Sequence, residues 1–418
     1  MGEARFDRFL GAFDEEAPVS IRVNPKFLRK EEGGKWKEFP QKKVPWCPEG
    51  YYLSGRPQFT FDPLFHAGCY YVQEAASMFV THILRTLFTL PSLDSSLFTL
   101  HSSLLTLHSS LFTLHSSPFT ILDLCAAPGG KSTAMRTVLP EGSLLVSNEP
   151  IPTRAQILLE NITKWGWPDC IVTNNYPRDF RKAKVQFDLI LCDVPCSGEG
   201  MFRKDPATIG EWSPQNVEKC WRLQREIVAD AWECLSPGGL LIYSTCTYNI
   251  KENEENVRWI LETYDAEPVT IPTDPSWNIT GSLLPGFDVP VYRFIPGITR
   301  SEGLFLCVLR KPTPILSPRE RRLITPANLS KLKCIQPPSL GEGMEVGISY
   351  SDALRYLRGE ALVLPPDTPR GIVTVTYRGV PLGPAKNIGS RANNLYPKPW
   401  RIKTTHLPST PVEIICKL

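Results

Sequence analysis

Two cysteines in short polar segments are the side chains best suited to chemistry in this sequence. One lies in Asp193-Val-Pro-Cys-Ser-Gly198 and the other in Ser244-Thr-Cys-Thr-Tyr248. A free cysteine is most often a small buried hydrophobic residue, and this interpretation suits most of the other ten cysteines. These two differ, because each follows an apolar run and has an acid or hydroxyl groups beside it. The segments therefore predict thiol-dependent catalysis, with Cys196 and Cys246 as candidates and Asp193 as the accompanying acid.

Apolar runs that alternate with helical segments must position these cysteines. The runs cover residues 119–124, 143–148, 170–173, 187–192 and 239–244, and a long helical segment extends from about 214 to 234. Continuous apolar strands separated by helices predict a parallel sheet that is buried on both faces. Because ligands bind beyond the carboxyl ends of such strands, we expect both cysteine segments at one rim of a doubly wound α/β domain.

The turn after the first apolar run, Asp123-Leu-Cys-Ala-Ala-Pro-Gly-Gly-Lys131, is suited to bind a cofactor. Its small residues let the backbone approach a ligand, and the helix that follows offers unpaired N–H groups. Glu149 ends the next strand, where a carboxylate can accept hydrogen bonds from ribose hydroxyls. A P-loop would need glycine at Cys125, and a dinucleotide fingerprint would need three spaced glycines. We predict a different nucleoside-bearing cofactor; a tight turn without a ligand is the alternative.

Composition and charge restrict the class of protein. The chain has 418 residues, is 42% hydrophobic and carries a net charge of +3, which predicts two or three domains and confines any nucleic-acid site to a local patch. The twelve cysteines show no metal-ligand spacing, so we expect no metal and a reducing, cytoplasmic setting. No stretch of about 20 uninterrupted apolar residues predicts a membrane span.

Composition also divides the chain into parts. A seven-residue repeat, Leu-Phe-Thr-Leu-His-Ser-Ser, recurs with little change across 97–117 and carries His101, His108 and His115. Its Ser and Thr content and uncharged flanks argue against a coiled coil, so we predict a low-complexity insertion without a metal or catalytic role. The predicted parts are an N-terminal extension (1–75) with basic patches at Arg22, Lys26, Arg29 and Lys30, an α/β domain (76–312) with the insertion at about 91–118, a proline-rich linker (313–340) and a small α+β module (341–418).

Three segments in order give the chain a specific resemblance to a known family. They are 123–132, 193–204 and 244–249, and they resemble motifs of the Nop/Sun family of RNA cytosine-5 methyltransferases. The likeness extends to Ser20-Ile-Arg-Val-Asn-Pro25, to 71–77 and to a C-terminal module ending near 396–401. The resemblance implies a Rossmann-like, doubly wound methyltransferase domain with an N-terminal α+β RNA-binding extension and a small C-terminal PUA-like α+β domain.

The resemblance also implies roles for individual residues. Carbon 5 of cytosine is too electron-poor to take a methyl group directly, so a thiolate must first add at carbon 6. Cys246 is implied as this nucleophile, Cys196 as the thiol that assists product release, and Asp193 as the acid at N3. The residues alone do not rank the two cysteines. The implied contacts to S-adenosylmethionine are Cys125, Ala126, Ala127, Pro128, Gly129, Gly130, Lys131, Glu149 and Asp193.

The implied partner is RNA, with 16S rRNA or the small ribosomal subunit favoured over tRNA by the PUA-like module, and the protein is expected to be a monomer. One departure motivates a second hypothesis: Tyr176 stands where the family usually has an Asp near the adenine, and a tyrosine cannot copy the hydrogen bond of a carboxylate. The chain could then be a catalytically decayed RNA-binding assembly factor. A DNA cytosine methyltransferase is disfavoured, because those enzymes lack the Thr-Cys-Thr cysteine.

Other polar and aromatic side chains have ordinary interpretations as well. Glu252, Glu254 and Glu255 stand at a predicted helix start, where carboxylates suit the helix dipole. Arg203 and Lys204 are interpreted either as contacts to RNA phosphates or as solvated loop charges. Trp400 is interpreted either as a stacking platform for RNA or as the anchor of a small domain.

Overall fold

The structure is a computed structural model that describes residues 2–27, 41–89, 118–313, 326–338, 343–404, 406–412 and 414–415. The seven-residue repeat with its three histidines lies outside the described residues, and so do Arg29 and Lys30. What the sequence predicts for them stays a prediction.

The N-terminal part forms a small antiparallel sheet flanked by helices. Its elements are α1 (Glu3–Gly11), β1 (Ser20–Val23), β2 (Lys43–Val44), β3 (Cys47–Tyr52), α2 (Pro63–His66), β4 (Tyr70–Val72) and α3 (Phe79–Thr89). The strand order is β2-β3-β1-β4. Helix α2 begins where the Asp62 carboxylate accepts the Leu64 N–H at 2.9 Å, with a proline at its first position. All four residues of β1 are buried, including Arg22, because both faces of this strand are covered.

A nine-stranded mixed sheet forms the centre of the molecule. Its strands are β5 (Thr120–Asp123), β6 (Leu144–Asn148), β7 (Cys170–Thr173), β8 (Phe187–Asp193), β9 (Leu235–Thr245), β10 (Glu267–Pro268), β11 (Val291–Phe294), β12 (Leu304–Arg310) and β13 (Cys334–Ile335). The order is β10-β12-β9-β8-β5-β6-β7-β13, and β11 pairs with β12. Strands β5 to β9 are parallel, as predicted. The chain moves from β5 to β6 on one side and returns to β8 on the other, which makes the end of β5 the topological switch point.

Helices cover both faces of this sheet. They are α4 (Gly130–Val138), α5 (Pro152–Trp165), α6 (Pro177–Ala183), α7 (Ala207–Glu211), α8 (Pro214–Glu233) and α9 (Glu254–Tyr264). Successive strand residues enter opposite cores: Ile121 packs with α3 and α4, whereas Leu122 packs with α6, α8 and α9. Both residues are fully buried. This two-sided burial explains why the strands read as continuous apolar runs, and the predicted doubly wound α/β architecture is confirmed.

The predicted linker contributes a strand to the central sheet. The short helix α10 (Pro326–Leu329) leads into β13, which pairs antiparallel with β7, so that Cys334 lies opposite Thr173. Lys333 adds a side-chain hydrogen bond from Nζ to Asn174 Oδ1 at 2.8 Å and a main-chain bond to Asn175 Oδ1 at 3.0 Å. The interpretation of this stretch as a linker alone was therefore incomplete, since part of it forms the edge of the sheet.

The C-terminal part is a four-stranded sheet with one helix. Its elements are β14 (Met344–Gly347), α11 (Tyr350–Leu357), β15 (Gly371–Tyr377), β16 (Val380–Asn387) and β17 (Ala392–Asn394), in the order β14-β15-β16-β17. The predicted α+β character of this module is confirmed. Its core is continuous with that of the N-terminal sheet, and Tyr350 Oη donates to the Phe61 carbonyl at 2.9 Å. None of the helices in the described ranges is long and apolar enough to cross a membrane.

Arg293 and Glu254 form a buried ion pair that should support the folded state strongly. Their side chains are 1% and 0% exposed, and Arg293 Nε donates to Glu254 Oε1 at 2.8 Å. We expect Arg293→Met to lower the free energy of unfolding by about 3–5 kcal/mol, because it leaves a buried carboxylate without its partner. Urea denaturation measures this change. Arg222→Ala, which breaks an exposed pair with Glu218, is the control and should cost less than about 1 kcal/mol; equal losses in the two variants would contradict the expectation.

Candidate active site

The two cysteine segments follow adjacent parallel strands. Strand β8 ends at Asp193, which lies opposite Ser244 of β9. Beyond these ends, Cys196 Sγ and Cys246 Sγ are 3.0 Å apart. The main-chain N–H of Cys246 also points to Cys196 Sγ, at 3.3 Å. Both thiols are half-buried, so the structure brings together, at the rim of the sheet, the two sulfur atoms that the sequence singled out.

Asp193 connects this pair of thiols with the cofactor turn. Its carboxylate accepts hydrogen bonds from Lys131 Nζ at 2.8 Å and from Ser244 Oγ at 2.9 Å. Burial alone would lower the pKa of Lys131, but the adjacent Asp193 carboxylate outweighs burial and the pKa is raised. Lys131 therefore keeps its positive charge. The sequence predicted an acid at this position but did not reveal that it forms an ion pair with the lysine of the cofactor turn.

The contact between the two sulfur atoms separates their pKa values. The hydrogen bond with Cys196 lowers the pKa of Cys246 and outweighs burial, which raises it. The same hydrogen bond, together with burial, raises the pKa of Cys196 well above its ordinary value. The pair therefore favours a thiolate on Cys246 and a proton on Cys196, and a thiolate is the nucleophilic form of cysteine.

Two buried carboxylates hold the two cysteine loops in register. Glu199, from the first loop, accepts the main-chain N–H groups of Tyr248 at 2.8 Å and Asn249 at 2.9 Å in the second. Glu252 accepts the Ser197 N–H at 3.1 Å and Asn249 Nδ2 at 2.7 Å. Each carboxylate thus bridges one loop to the other. Both roles were missed from the sequence, although Glu199 lies in segment 193–204, one of the three that carry the family resemblance.

The helix-dipole interpretation of Glu252, Glu254 and Glu255 was incomplete: Glu254 and Glu255 lie in the first turn of α9, as it requires, but two of the three carboxylates are buried. Glu252 precedes α9 and is fully buried in the network that bridges the loops, and Glu254, in the first turn of α9, is fully buried against Arg293. A solvated position at a helix start would leave such carboxylates exposed. Their burial means that both act through specific partners.

The turn predicted to bind the cofactor connects β5 with α4 and is held on both flanks. Gly129 has a φ of +110°, a backbone conformation that favours glycine. A Cβ on Gly130 would lie 3.4 Å from the Tyr71 ring. The Pro128 carbonyl accepts Asn161 Nδ2 at 2.8 Å, and the Ala127 carbonyl accepts Arg154 Nη2 at 3.1 Å. The main chain of the turn therefore has a fixed course, and a side chain at Gly129 would strain it.

Acidic side chains lie under and beside this turn. Asp123 is fully buried, and Oδ2 accepts the Ser132 hydroxyl at 2.6 Å, whereas Oδ1 has no partner among the described residues. Burial raises the pKa of Asp123 to about 7. Glu149 is 1% exposed; Oε1 accepts the Ile151 N–H at 3.0 Å, and Arg154 lies 3.5 Å from Oε2. An acceptor buried without a partner marks a place where a donor group of a ligand can bind.

Three side chains that were interpreted as possible RNA contacts have structural partners. Arg203 is buried in an ion pair with Glu302, at 2.5 Å, so its interpretation as a phosphate contact was wrong; Lys204 is exposed. Arg22, assigned to a basic patch, is fully buried. Trp400 packs edge-on against Tyr396 with ring centroids 6.0 Å apart, which agrees with its interpretation as an anchor.

Tyr176, the departure from the family pattern, points away from the interior. It is 56% exposed, and its main-chain N–H donates to Asp179 Oδ2 at 2.9 Å at the start of α6. The guanidinium of Arg178 lies 5.2 Å from its ring. The tyrosine therefore lies at the end of the strand-to-helix turn with its ring largely in solvent.

Family models match three consecutive parts of the chain. They are described as the N-terminal domain of 16S rRNA methyltransferase RsmF (residues 1–75), 16S rRNA methyltransferase RsmB/F (113–310) and the methyltransferase RsmF PUA domain (344–402). A ribosomal RNA small subunit methyltransferase F from Shigella boydii is 30% identical over 409 residues, which are 92% of this chain and 78% of that protein. The chain belongs to the RsmB/RsmF methyltransferase family.

Other relatives and solved structures extend the comparison. A methyltransferase F from Cronobacter sakazakii is 32% identical over 74% of this chain, and the chain spans 60% of the length of that relative. A methyltransferase homolog protein from Pyrococcus horikoshii shares the fold with a TM-score of 0.56 at 24% identity, over 73% of this chain and 90% of that one. NSun6 from the same organism shares the fold with a TM-score of 0.55 at 20% identity. The match covers 75% of this chain and 96% of that one. The predicted RsmB/RsmF-type fold class, with its N-terminal and PUA-like domains, is confirmed.

Metal ligation finds no candidate in the described parts of this chain. Among the described residues, no group of three or more His, Cys, Asp or Glu side chains could hold a metal ion. The reactive groups described above at the rim of the sheet are thiols, carboxylates and one lysine.

The pKa separation of the two thiols predicts how Cys246 reacts with iodoacetamide. In the native protein the alkylation rate of Cys246 should rise at a lower pH than that of an ordinary thiol. In Cys196→Ala it should rise at a higher pH than in the native protein, because the hydrogen bond that lowers the pKa is lost while burial remains. Peptide mass spectrometry after timed alkylation follows each site. Cys220, whose pKa is raised to about 11 by burial, is the internal reference, and an unchanged Cys246 profile in the variant would rule out this effect.

Proposed function

We propose that the chain transfers a methyl group from S-adenosylmethionine to carbon 5 of a cytosine in RNA, and that the RNA is 16S rRNA. The observation that carries the proposal is the 3.0 Å contact between Cys196 and Cys246 beside the Asp193–Lys131 ion pair. Membership of a family of rRNA methyltransferases supports the substrate class, and the PUA-like domain supports the binding of structured RNA. The chemistry requires one thiol as a nucleophile and gains from a second that handles a proton.

The first step is covalent addition by Cys246. Its thiolate forms a bond to carbon 6 of the cytosine, and the electron pair of the 5,6 double bond moves into the ring toward N3. A proton or hydrogen bond at N3 stabilises that charge, and Asp193 is the proposed donor, in a protonated form whose proton comes from solvent. Carbon 5 then has the enamine character that it needs to accept a methyl group. The target base must leave its stack to meet a thiol in this half-buried position.

The second half of the reaction assigns a different role to Cys196. Once the Cys246 sulfur is bonded to carbon 6, it no longer carries the charge that raises the pKa of Cys196. Cys196 can then lose its proton to solvent and, as a thiolate, remove the proton from carbon 5, which regenerates its thiol. The electron pair of that C–H bond restores the 5,6 double bond, the S–C6 bond breaks, and Cys246 leaves as a thiolate. Methylated RNA is thereby released.

The cofactor turn has features that fit S-adenosylmethionine. When bound, the cofactor supplies an activated methyl group on a sulfonium centre. Cys125, Ala126, Ala127, Pro128, Gly129, Gly130 and Lys131 would line it, with Glu149 at the ribose and Asp193 near the reacting groups. The unpartnered Asp123 Oδ1 suits an amino group. Lys131 would then have two functions, because its ion pair also holds Asp193 in place.

A decayed RNA-binding factor is the second candidate, and Tyr176 is the observation behind it. Against decay stand the paired thiols, the Asp193–Lys131 ion pair and the two buried carboxylates that bridge the loops. Loss of function would remove the selection that keeps such an arrangement intact. Calorimetry with S-adenosylmethionine separates the candidates, because a decayed protein should give no heat of binding.

Single cysteine variants test the proposed roles. Cys246→Ala should bind S-adenosylmethionine but transfer no tritiated methyl group to rRNA, because the proposed nucleophile for carbon 6 is removed. Cys196→Ala should accumulate a covalent RNA adduct that survives denaturing electrophoresis, because release is blocked. Cys220→Ala, at a half-buried thiol outside the cluster, is the control and should behave as the native protein. Normal turnover by Cys246→Ala would refute the assignment, and a missing adduct in Cys196→Ala would refute the release role.

Bisulfite sequencing tests the substrate. We expect a 5-methylcytosine in 16S rRNA from cells that carry the gene, and its loss when the gene is deleted. Reintroduction of the native gene should restore the methylation, whereas reintroduction of a Cys246→Ala gene should not. If deletion leaves the methylation of 16S rRNA unchanged and a tRNA loses a 5-methylcytosine, the proposed substrate is wrong. The proposed transfer to carbon 5 of cytosine would then be retained.

A further inference from the structure

Arg22 is a buried cation with an unusual set of partners. Its side chain is fully buried, and no carboxylate among the described residues forms an ion pair with it. Its guanidinium lies instead 4.3 Å from the ring of Trp165, at the end of α5. Burial lowers its pKa to about 10, so it remains charged at neutral pH. Burial of a charge without an ion-pair partner costs free energy of folding. The neutral groups that bind Arg22 must therefore stabilise its charge.

Those groups belong to the first turns of α4, directly after the cofactor turn. Arg22 Nη2 donates to Thr133 Oγ1 at 2.6 Å and lies 3.4 Å from the Gly130 carbonyl. Thr133 Oγ1 in turn donates to the Gly129 carbonyl at 2.8 Å. A chain of two hydrogen bonds thus runs from the N-terminal extension to the glycine with positive φ.

A second hydrogen bond of the guanidinium orients a side chain on the other side of the turn. Arg22 Nε donates to Gln73 Oε1 at 2.8 Å. The Gln73 amide packs over Gly130, where an added Cβ would lie 3.6 Å from Gln73 Nε2. That Nε2 atom is buried and has no partner among the described residues. Arg22 therefore sets the orientation of an amide whose free donor lies beside the cofactor turn.

We propose that Arg22 is a positioning residue for cofactor binding: from the N-terminal extension it holds Gly129, Gly130 and the Gln73 amide in the geometry that receives S-adenosylmethionine. The N-terminal extension is then part of the cofactor site as well as a candidate RNA-binding module. This inference rests on the proposed function, because it concerns the same turn. The planar fork of arginine suits the task, since it reaches Gln73 and Thr133 at the same time.

Calorimetry with S-adenosylmethionine on the full chain tests the inference. Arg22→Lys keeps the charge but loses the fork, so its Kd should rise roughly tenfold, as expected for the loss of a charge-assisted hydrogen bond. The Kd for rRNA should stay within about twofold of the native value in the same variant. Thr133→Val, which breaks the link to Gly129, should raise the cofactor Kd similarly, and Thr133→Ser, which keeps the hydroxyl, should restore it. The Arg22→Lys and Thr133→Val effects should not add in the double variant, because they break one chain.

A matched control separates positioning from general loss of docking. Trp167 Nε1 donates to Asn24 Oδ1 at 2.9 Å, so Trp167→Phe weakens the same domain contact away from the turn and should leave the cofactor Kd unchanged. An unchanged Kd in both Arg22→Lys and Thr133→Val overturns the inference, and so does an equal rise in Trp167→Phe. If Arg22→Lys fails to fold, the Thr133→Val and Thr133→Ser pair decides. If the native protein gives no heat with the cofactor, both the proposed function and this inference are refuted. If the native protein and all the variants bind the cofactor with the same Kd, only this inference is refuted.

Discussion

The 3.0 Å contact between two thiols is the interaction on which the rest of the site depends. A thiol shares its proton with a neighbouring sulfur only at short range, so the two loops that carry Cys196 and Cys246 need a fixed separation. Neither loop can set this separation alone, because each is anchored at the end of its own strand. Glu199 and Glu252 supply the constraint by binding main-chain N–H groups across the gap. Burial makes these bonds strong, and it also makes an unpaired carboxylate costly, so the network is stable only when complete.

The same constraint explains why the ion pair of Asp193 matters. Asp193 ends one of the two parallel strands, and Ser244 on the next strand fixes its second oxygen. Lys131 reaches it from the start of α4, across the switch point of the sheet. One carboxylate therefore joins the nucleophile side to the cofactor side. A doubly wound sheet provides this geometry, because the carboxyl ends of neighbouring strands meet at one rim.

The parts of the molecule that the sequence predicted are those governed by local pattern. Two-sided burial produces continuous apolar strands, as Ile121 and Leu122 illustrate, and a run of small residues produces the tight turn that follows β5. The partners of buried charges were not predictable in this way. Arg22 meets Thr133 at a separation of 111 residues, and Arg203 meets Glu302 at 99. A charged residue looks the same in a sequence whether it is solvated or paired. The proline-rich composition of 313–340 likewise gave no indication that Cys334 would pair with β7 at the edge of the sheet.

Helix α5 is where the three parts of the chain meet, and this has a consequence for how they can act. Its end touches the N-terminal extension so closely that a Cβ on Gly68 would lie 1.9 Å from the Lys164 carbonyl, and the Lys164 ammonium lies 5.6 Å from the Trp400 ring of the PUA-like domain. Arg154, near its start, and Asn161, in its second half, hold the turn predicted to bind the cofactor. One helix therefore carries contacts to both small domains and to the turn predicted to bind the cofactor. Under the proposed function, RNA bound by those domains would be presented to a cofactor site that is built on the same element.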